Sequence, residues 1–479
     1  MNFLKAAKAA FLNVFYYKAA LLVLLMPTLI APLEQYSYRI LYIAAAWGGV
    51  LCAYDLFTKK RFLKTRGMLW LLAFLVFFGI SVLLNYKTAF TSNLASLVYT
   101  AVAILLLYPD HSSSDKQQAL KEMTALMNIF IGMTAVFSAV SLFMFASLYE
   151  NLFNYAGGDN PIGWYGNRLY GIYKNPCYMN SAIGIALIVT QFITQKAREK
   201  RIKKPLVAFY VITFVLNFCS MCLENARGAF LSLAFFAAIL SFLFMFRVLR
   251  RKGTNAAVAA ILSLLCGAAA AGLVIGAVYG IRPLLKFIPQ LYALLTTGEK
   301  LNLDLDIERH VDASYGTLTG RPAIWKFGMQ EFLKKPVFGY GPQSHTDKAV
   351  VDIGIQHFHN LPIQCLVSVG ILGTLPLLVY FFRFLADLVT YHRKNLSGDD
   401  KTVFAMIALT AVFGMFILNS MSEVTVLYLT RFSMFLYWIF TGYMHILADN
   451  NKKTKDDLLA EKTASVLDSI FTRKKKNAQ

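Results

Sequence analysis

Charge is what this sequence has least of. Only 15% of its 479 residues are Asp, Glu, Lys or Arg, against roughly a quarter in soluble domains. Acidic residues are the scarcer kind, 26 against 47 basic ones. The charges cluster between apolar runs, which excludes an ordinary soluble globule. Those runs do not alternate residue by residue, which excludes a transmembrane β-barrel. Cysteine is limited to Cys52, Cys177, Cys219, Cys222, Cys266 and Cys365. Cys219 and Cys222 alone have the spacing of a redox or zinc pair, but they lie inside an apolar run with no second pair and no nearby His, so they read as apolar filler. Gly339-Tyr340-Gly341 follows Pro336. It is too short for a dinucleotide or P-loop fingerprint, both of which need a strand before and a helix after. No nucleotide-sugar or ATP site is visible.

What is abundant is apolar length. Hydrophobic residues make up 57% of the chain, mean hydropathy is +0.53, and many runs reach the roughly 20 residues that cross a bilayer as a helix. The pattern predicts an all-α integral membrane protein of about twelve transmembrane helices, near 19–34, 38–57, 68–86, 91–108, 124–148, 177–195, 205–222, 229–248, 256–280, 361–385, 402–421 and 425–447. Residues 1–447 then form one polytopic domain, and 448–479 a charged tail. Lys5, Lys8 and Lys18 precede the first run, which lacks a small-residue cleavage site and reads as a retained helix.

Basic residues follow the even-numbered segments: Lys59 to Arg66, Lys196 to Lys204, Arg247 to Lys252, Arg393 and Lys394, and Lys452 to Lys476. By the positive-inside rule both termini, and hence the tail, are cytoplasmic. The net charge of +21 is therefore a mark of topology and of attraction to anionic membrane lipids, not of nucleic acid. Two loops on the opposite, outward side are long: 149–176, and 281–360 between the ninth and tenth segments. The second is expected to be partly helical around Pro322 to Lys335, since proline suits a first helical turn.

Polar residues facing outward form a short set: Arg168, Tyr170, Tyr173, Lys174 and Asn175; Glu224, Asn225 and Arg227; Arg321 and Trp325; His357, His359 and Asn360; Asn419 and Glu423. Three arginines at helix ends suit an anionic ligand, because a guanidinium offers a fixed fork of donors to phosphate oxygens. Lipid-linked phosphate or pyrophosphate is the anion at hand. The alternative for each arginine is pairing with headgroups, Glu224 or Glu423. His359 stands where the loop re-enters the membrane, and a histidine there is either a general base for a hydroxyl or a satisfied interfacial residue. Of His310, His345, His357 and His359 only the last two are close, and no carboxylate or Cys pattern accompanies them, so no metal and no other cofactor is expected.

Four segments in this order resemble the O-antigen ligase/polymerase superfamily of bacterial membrane glycosyltransferases. They are RLYGIYKNPCYMNSAIG (Arg168 to Gly184), ENARGAFLSLAF (Glu224 to Phe235), TGRPAIWKFGMQEFLKKPVFGYGPQS (Thr319 to Ser344) and HFHNLPIQCLVSVGILGTL (His357 to Leu375). The chain departs from the family pattern at Cys177, where a second Asn is usual, and at Ala226, where Ser is usual. The resemblance implies transfer of a glycan from a polyprenyl-pyrophosphate carrier to a glycan or lipid hydroxyl, on the outer face of a bacterial cytoplasmic membrane, as ligase or polymerase. It implies that Arg168, Arg227 and Arg321 hold the pyrophosphate, and that His359 is the base, with Asn360 and Glu423 orienting it. His357, Tyr170, Lys174 and Glu224 are second choices. The rival class is a multi-span transporter or flippase for a lipid-linked or anionic substrate, which would place charge or broken helices at mid-membrane. A non-catalytic assembly protein would leave the Arg and His set unexplained.

Overall fold

A computed structural model describes residues 2–58, 60–109, 116–155, 158–173, 175, 179–198, 202–301, 305, 307, 320–344, 357–396, 401–428 and 431–448. Lys174, Cys177, His310, His345 and the charged tail lie outside the described residues. The helices are α1 (Asn2–Phe11), α2 (Val14–Leu24), α3 (Glu34–Thr58), α4 (Arg61–Lys64), α5 (Met68–Leu84), α6 (Phe90–Val102), α7 (Lys116–Ala146), α8 (Asn180–Arg198), α9 (Lys204–Glu224), α10 (Arg227–Arg251), α11 (Ala256–Leu285), α12 (Phe287–Thr297), α13 (Arg321–Lys334), α14 (Leu361–Lys394), α15 (Lys401–Ser420) and α16 (Phe432–Ala448).

Each of the twelve predicted segments contains helix, yet among the described residues eight helices are long and apolar enough to cross a membrane. The number rises to nine if the bent pair Leu4–Phe11 and Val14–Thr28, at 73°, counts as one span. For two segments the shortfall is one of length, whereas α8, at 19 residues, is long enough but too polar. Apolar α5 and α16 have 17 residues each, about 25 Å at 1.5 Å per residue. Pro27 and Pro32 sit in short 3-10 turns after α2, as their missing N–H groups require.

Two further features differ from the sequence reading and one agrees with it. The ninth segment runs on past residue 280 as α11 to Leu285 and is followed by α12. The expected loop helix is present as α13, with Pro322 in its first turn. Residues 149–176 hold a three-stranded antiparallel sheet in the order β1 (Glu150–Tyr155), β2 (Gly158–Tyr165), β3 (Arg168–Gly171), which the all-α expectation missed because membrane-length hydropathy is blind to a hairpin.

α16 is buried on nearly every side, as a helix apolar all round should be, and 72% of the span window of α15 is buried against 17% for α11. These two helices are the axis of the bundle. Asn217 of α9 holds α7 through Ser138 Oγ at 3.1 Å and Thr134 Oγ1 at 3.4 Å, the polar cross-links that helices use where no water competes.

Candidate active site at one end of the bundle

The loop after α15 is fastened from every side. Ser420 Oγ and Thr425 Oγ1 are 2.7 Å apart, Ser433 Oγ donates to the Thr425 carbonyl at 2.8 Å, Trp438 Nε1 to that of Val426 at 3.0 Å, and Ser96 Oγ to that of Tyr428 at 2.6 Å. It therefore holds Glu423 in place, largely buried. Asn360 caps α14, its Oδ1 accepting from the Ile363 N–H at 3.1 Å, while its Nδ2 donates to the Met421 carbonyl at 3.1 Å. One side chain thus starts α14 and ties it to the loop carrying Glu423. Between the two histidines, Phe358 is fully buried in a small cluster with Ile324 and Phe327 of α13, so His357 and His359 lie together with their ring centroids 4.0 Å apart.

Four groups converge on the Glu423 carboxylate. Oε1 lies 3.0 Å from His359 Nδ1 and 3.1 Å from an Arg321 nitrogen; Oε2 lies 3.5 Å from His357 Nε2 and 3.7 Å from an Arg431 nitrogen. The Glu423 backbone N–H is taken up elsewhere, donating to the Asn419 carbonyl at 2.8 Å. Burial would raise the Glu423 carboxyl, but the hydrogen bond and charge of His359 and the charges of Arg431 and His357 outweigh it and hold it at about 2. An ionised acceptor on Nδ1 fixes the tautomer of His359: Nδ1 carries a proton and Nε2 presents a lone pair. The His359 side chain is 32% exposed against 6% for His357. His357 Nδ1 also accepts from the His359 backbone N–H at 3.2 Å, so both its nitrogens are engaged. His359 itself has φ 50°, an uncommon backbone conformation that clusters at functional positions.

The arginines divide between three places. Arg321 is in the Glu423 cluster, so here the ion-pair alternative is realised. Arg168, buried, donates from Nε to the Glu224 carbonyl at 2.9 Å and lies over the Tyr170 ring at 5.6 Å. Glu224 is fully inside, its Oε1 accepting from Ser181 Oγ at 2.6 Å and Ser220 Oγ at 3.1 Å. Arg227 is exposed at the start of α10, a helix whose N-terminus lacks a side-chain cap, and Gly228 beside it packs 3.6 Å from Ser422 Oγ, measured from the position of a Cβ there. A cation at a helix N-terminus opposes the helix dipole, so the pairing of Arg227 with uncapped N–H groups makes sense as an anion cradle.

Two residues escaped the sequence reading. The twelfth predicted segment, 425–447, encloses Arg431, but α16 begins one residue later and leaves it facing Glu423 and His357; a charge inside an apolar run is the available signal. Arg282 of α11 donates to Asn225 Oδ1 at 2.8 Å and to the Cys222 carbonyl at 3.2 Å, fastening the turn that carries Arg227. Glu423 also supplies the carboxylate that sequence spacing did not reveal beside the histidines: ligand atoms of His357, His359 and Glu423 lie within 4.8 Å of one another, a set able to hold a metal ion. A cation there would compete with the two guanidiniums already facing the carboxylate.

The fold and this polar end define a multi-pass membrane protein with an enzyme-like cluster at the mouth of its bundle. Residues 212–378 match the family model described as O-antigen ligase, so this third of the chain is similar to the domain of that family. The matched stretch takes in Arg227, Arg321, His357, His359 and Asn360, and leaves Arg168, Glu423 and Arg431 outside it. No curated protein matches the chain.

Proposed function

We propose that the protein moves a glycan from a polyprenyl-pyrophosphate carrier to a hydroxyl of a glycan or lipid acceptor, on the outer face of a bacterial cytoplasmic membrane, through twelve spans with both termini inside. The observation that carries this reading is the 3.0 Å contact between Glu423 and His359 Nδ1. It leaves Nε2 as a base for the acceptor hydroxyl and lets the carboxylate stabilise the imidazolium that forms, a hydrogen-bonded orienter behind a base. Arg227 and Arg321 would neutralise charge on the departing pyrophosphate, where fixed donors act most strongly. Arg168 is set deeper and would act by holding the Glu224 end of the same turn. A groove lined by Gly228, Leu231, Phe235, Ile275, Leu418 and Ser422 leads from Arg227 along α10, α11 and α15 and suits the apolar chain of a carrier.

The transporter reading has one observation in its favour, a break in α14 at Gly370. The backbone groups freed there are taken by residues 336–341, which weighs against their coordinating an ion.

The test is release of free carrier by purified protein supplied with a polyprenyl-pyrophosphate oligosaccharide from its host, without nucleotide sugar and with chelator present. Turnover by the native chain, lowered about 100-fold or more in His359→Ala and abolished in Arg227→Ala, is expected; product length then separates polymerase from ligase. Full activity in both variants would sink the residue roles, and activity that vanished only with chelator would move His357, His359 and Glu423 to a metal site.

A further inference from the structure

At the far end of α14, roughly 30 Å along the helix from His359 at 1.5 Å per residue, a second polar cavity opens. It measures ≈ 230 Å³ and is lined by Arg66, Gly67, Tyr380, Arg383, Phe384, Ala386, Asp387 and His445. Nothing in the glycan-transfer reading uses it.

Its walls have three properties that point to a ligand. Arg66 and Arg383 bring two guanidiniums against one carboxylate, Asp387, which holds Arg66 at 2.6 Å, leaving the cavity net positive. Nε2 of His445 is shielded from solvent and has no hydrogen-bond partner among the described residues; its ring is packed edge-on to Tyr108 at 5.4 Å and against Phe384 at 4.8 Å. An orphaned ring nitrogen in such a place calls for an explanation, and in the Nε2–H tautomer it is a donor without an acceptor among the described residues. Finally, Arg383 lies over the Trp70 ring at 5.3 Å, and Trp marks the headgroup level of a membrane helix.

We propose that this cavity binds the phosphate headgroup of an anionic membrane lipid, with Arg66, Arg383 and His445 as donors. The remaining walls, Tyr380, Phe384 and Ala386, are apolar or aromatic and suit the glycerol carbons. Its volume admits a headgroup rather than a whole lipid, so the acyl chains stay in the bilayer. Asp387 acts against the ligand: it competes with phosphate for Arg66.

The delipidated full-length protein would be titrated with phosphatidylglycerol and with phosphatidylcholine and followed by native mass spectrometry. One phosphatidylglycerol is expected to bind about tenfold or more tighter than phosphatidylcholine, the advantage of charge-assisted hydrogen bonds. Arg383→Gln, an exposed position where folding is not at stake, should remove most of that preference. Asp387→Asn should strengthen it by freeing Arg66, a gain that misfolding cannot imitate, and Arg227→Ala at the other end should leave it unchanged. Equal binding of the two lipids, or insensitivity to both Arg383→Gln and Asp387→Asn, would overturn the proposal. So would millimolar inorganic phosphate displacing the lipid completely, which would assign the cavity to a soluble anion.

Discussion

Glu423 concentrates the electrostatics of the candidate site in one side chain. Its carboxyl is held from 4.5 down to about 2, so its ionised form is favoured by the fold. A depressed carboxyl adds stability that is whole above about 4.5 and drains away as pH falls toward about 2. Thermal unfolding measured in detergent between pH 7 and pH 3 is expected to show this loss at the acid end, and Glu423→Gln to flatten it. The same variant should lower turnover at neutral pH, because an amide can present its N–H to Nδ1 and leave Nε2 protonated. Asn360 acts differently. Asn360→Ala removes an N-cap worth about 1 kcal/mol and also the link to the Met421 carbonyl, so a small fall in melting temperature with a disproportionate fall in turnover is expected. Several of these residues were legible in the sequence as types and places: a histidine at a membrane re-entry, an acid just past a segment. That they meet was not, because Glu423 is 64 positions from His359.

At the scale of elements, the glycines after Pro336 turn out to serve α14. Gly370 has φ 64° and ψ −171° within that helix, and residues 336–341 fill the gap it makes. The Tyr340 and Gly341 N–H groups donate to the Val367 and Ser368 carbonyls at 2.9 and 2.8 Å, and the Ile371 N–H to that of Pro336 at 2.8 Å. Ser81 Oγ and Asn85 Nδ2 add donors to the Ser368 and Gly339 carbonyls at 2.8 and 3.0 Å. In an apolar surrounding each such backbone group must be satisfied, so break and loop require each other. A Cβ at Gly370 would meet the Val337 carbonyl and one at Gly339 the Val367 carbonyl. Gly370→Ala is therefore expected to destabilise by at least about 2 kcal/mol and to lower the yield of monodisperse protein on size exclusion, whereas Gly253→Ala, with φ 81° but open space, should keep monodispersity. Sequence alone reads Gly339-Tyr340-Gly341 as a turn; the reason for it lies in another element.

Across the whole molecule, α14 joins the two polar ends, with the Glu423 cluster at its start and Arg383 and Asp387 toward its finish. The basic loops predict which end faces which compartment. With single cysteines introduced at Asn2 and at Asn151 in an otherwise cysteine-free chain, an impermeant thiol reagent applied to intact spheroplasts is expected to label the second and spare the first. The reverse pattern would invert the topology and the proposed outer location of transfer. Apolar run length and charge placement were enough to determine a helical membrane protein and the placing of its arginines, His359 and Glu423 near segment ends, because the hydrophobic effect and interfacial charge act locally along a chain. Only the tertiary structure decided that Arg431 faces Glu423, that Glu224 is enclosed with Ser181 and Ser220, that strands form between residues 150 and 171 and that Glu423 joins the two histidines. Those outcomes depend on which distant backbone and side-chain groups must satisfy one another once water is excluded.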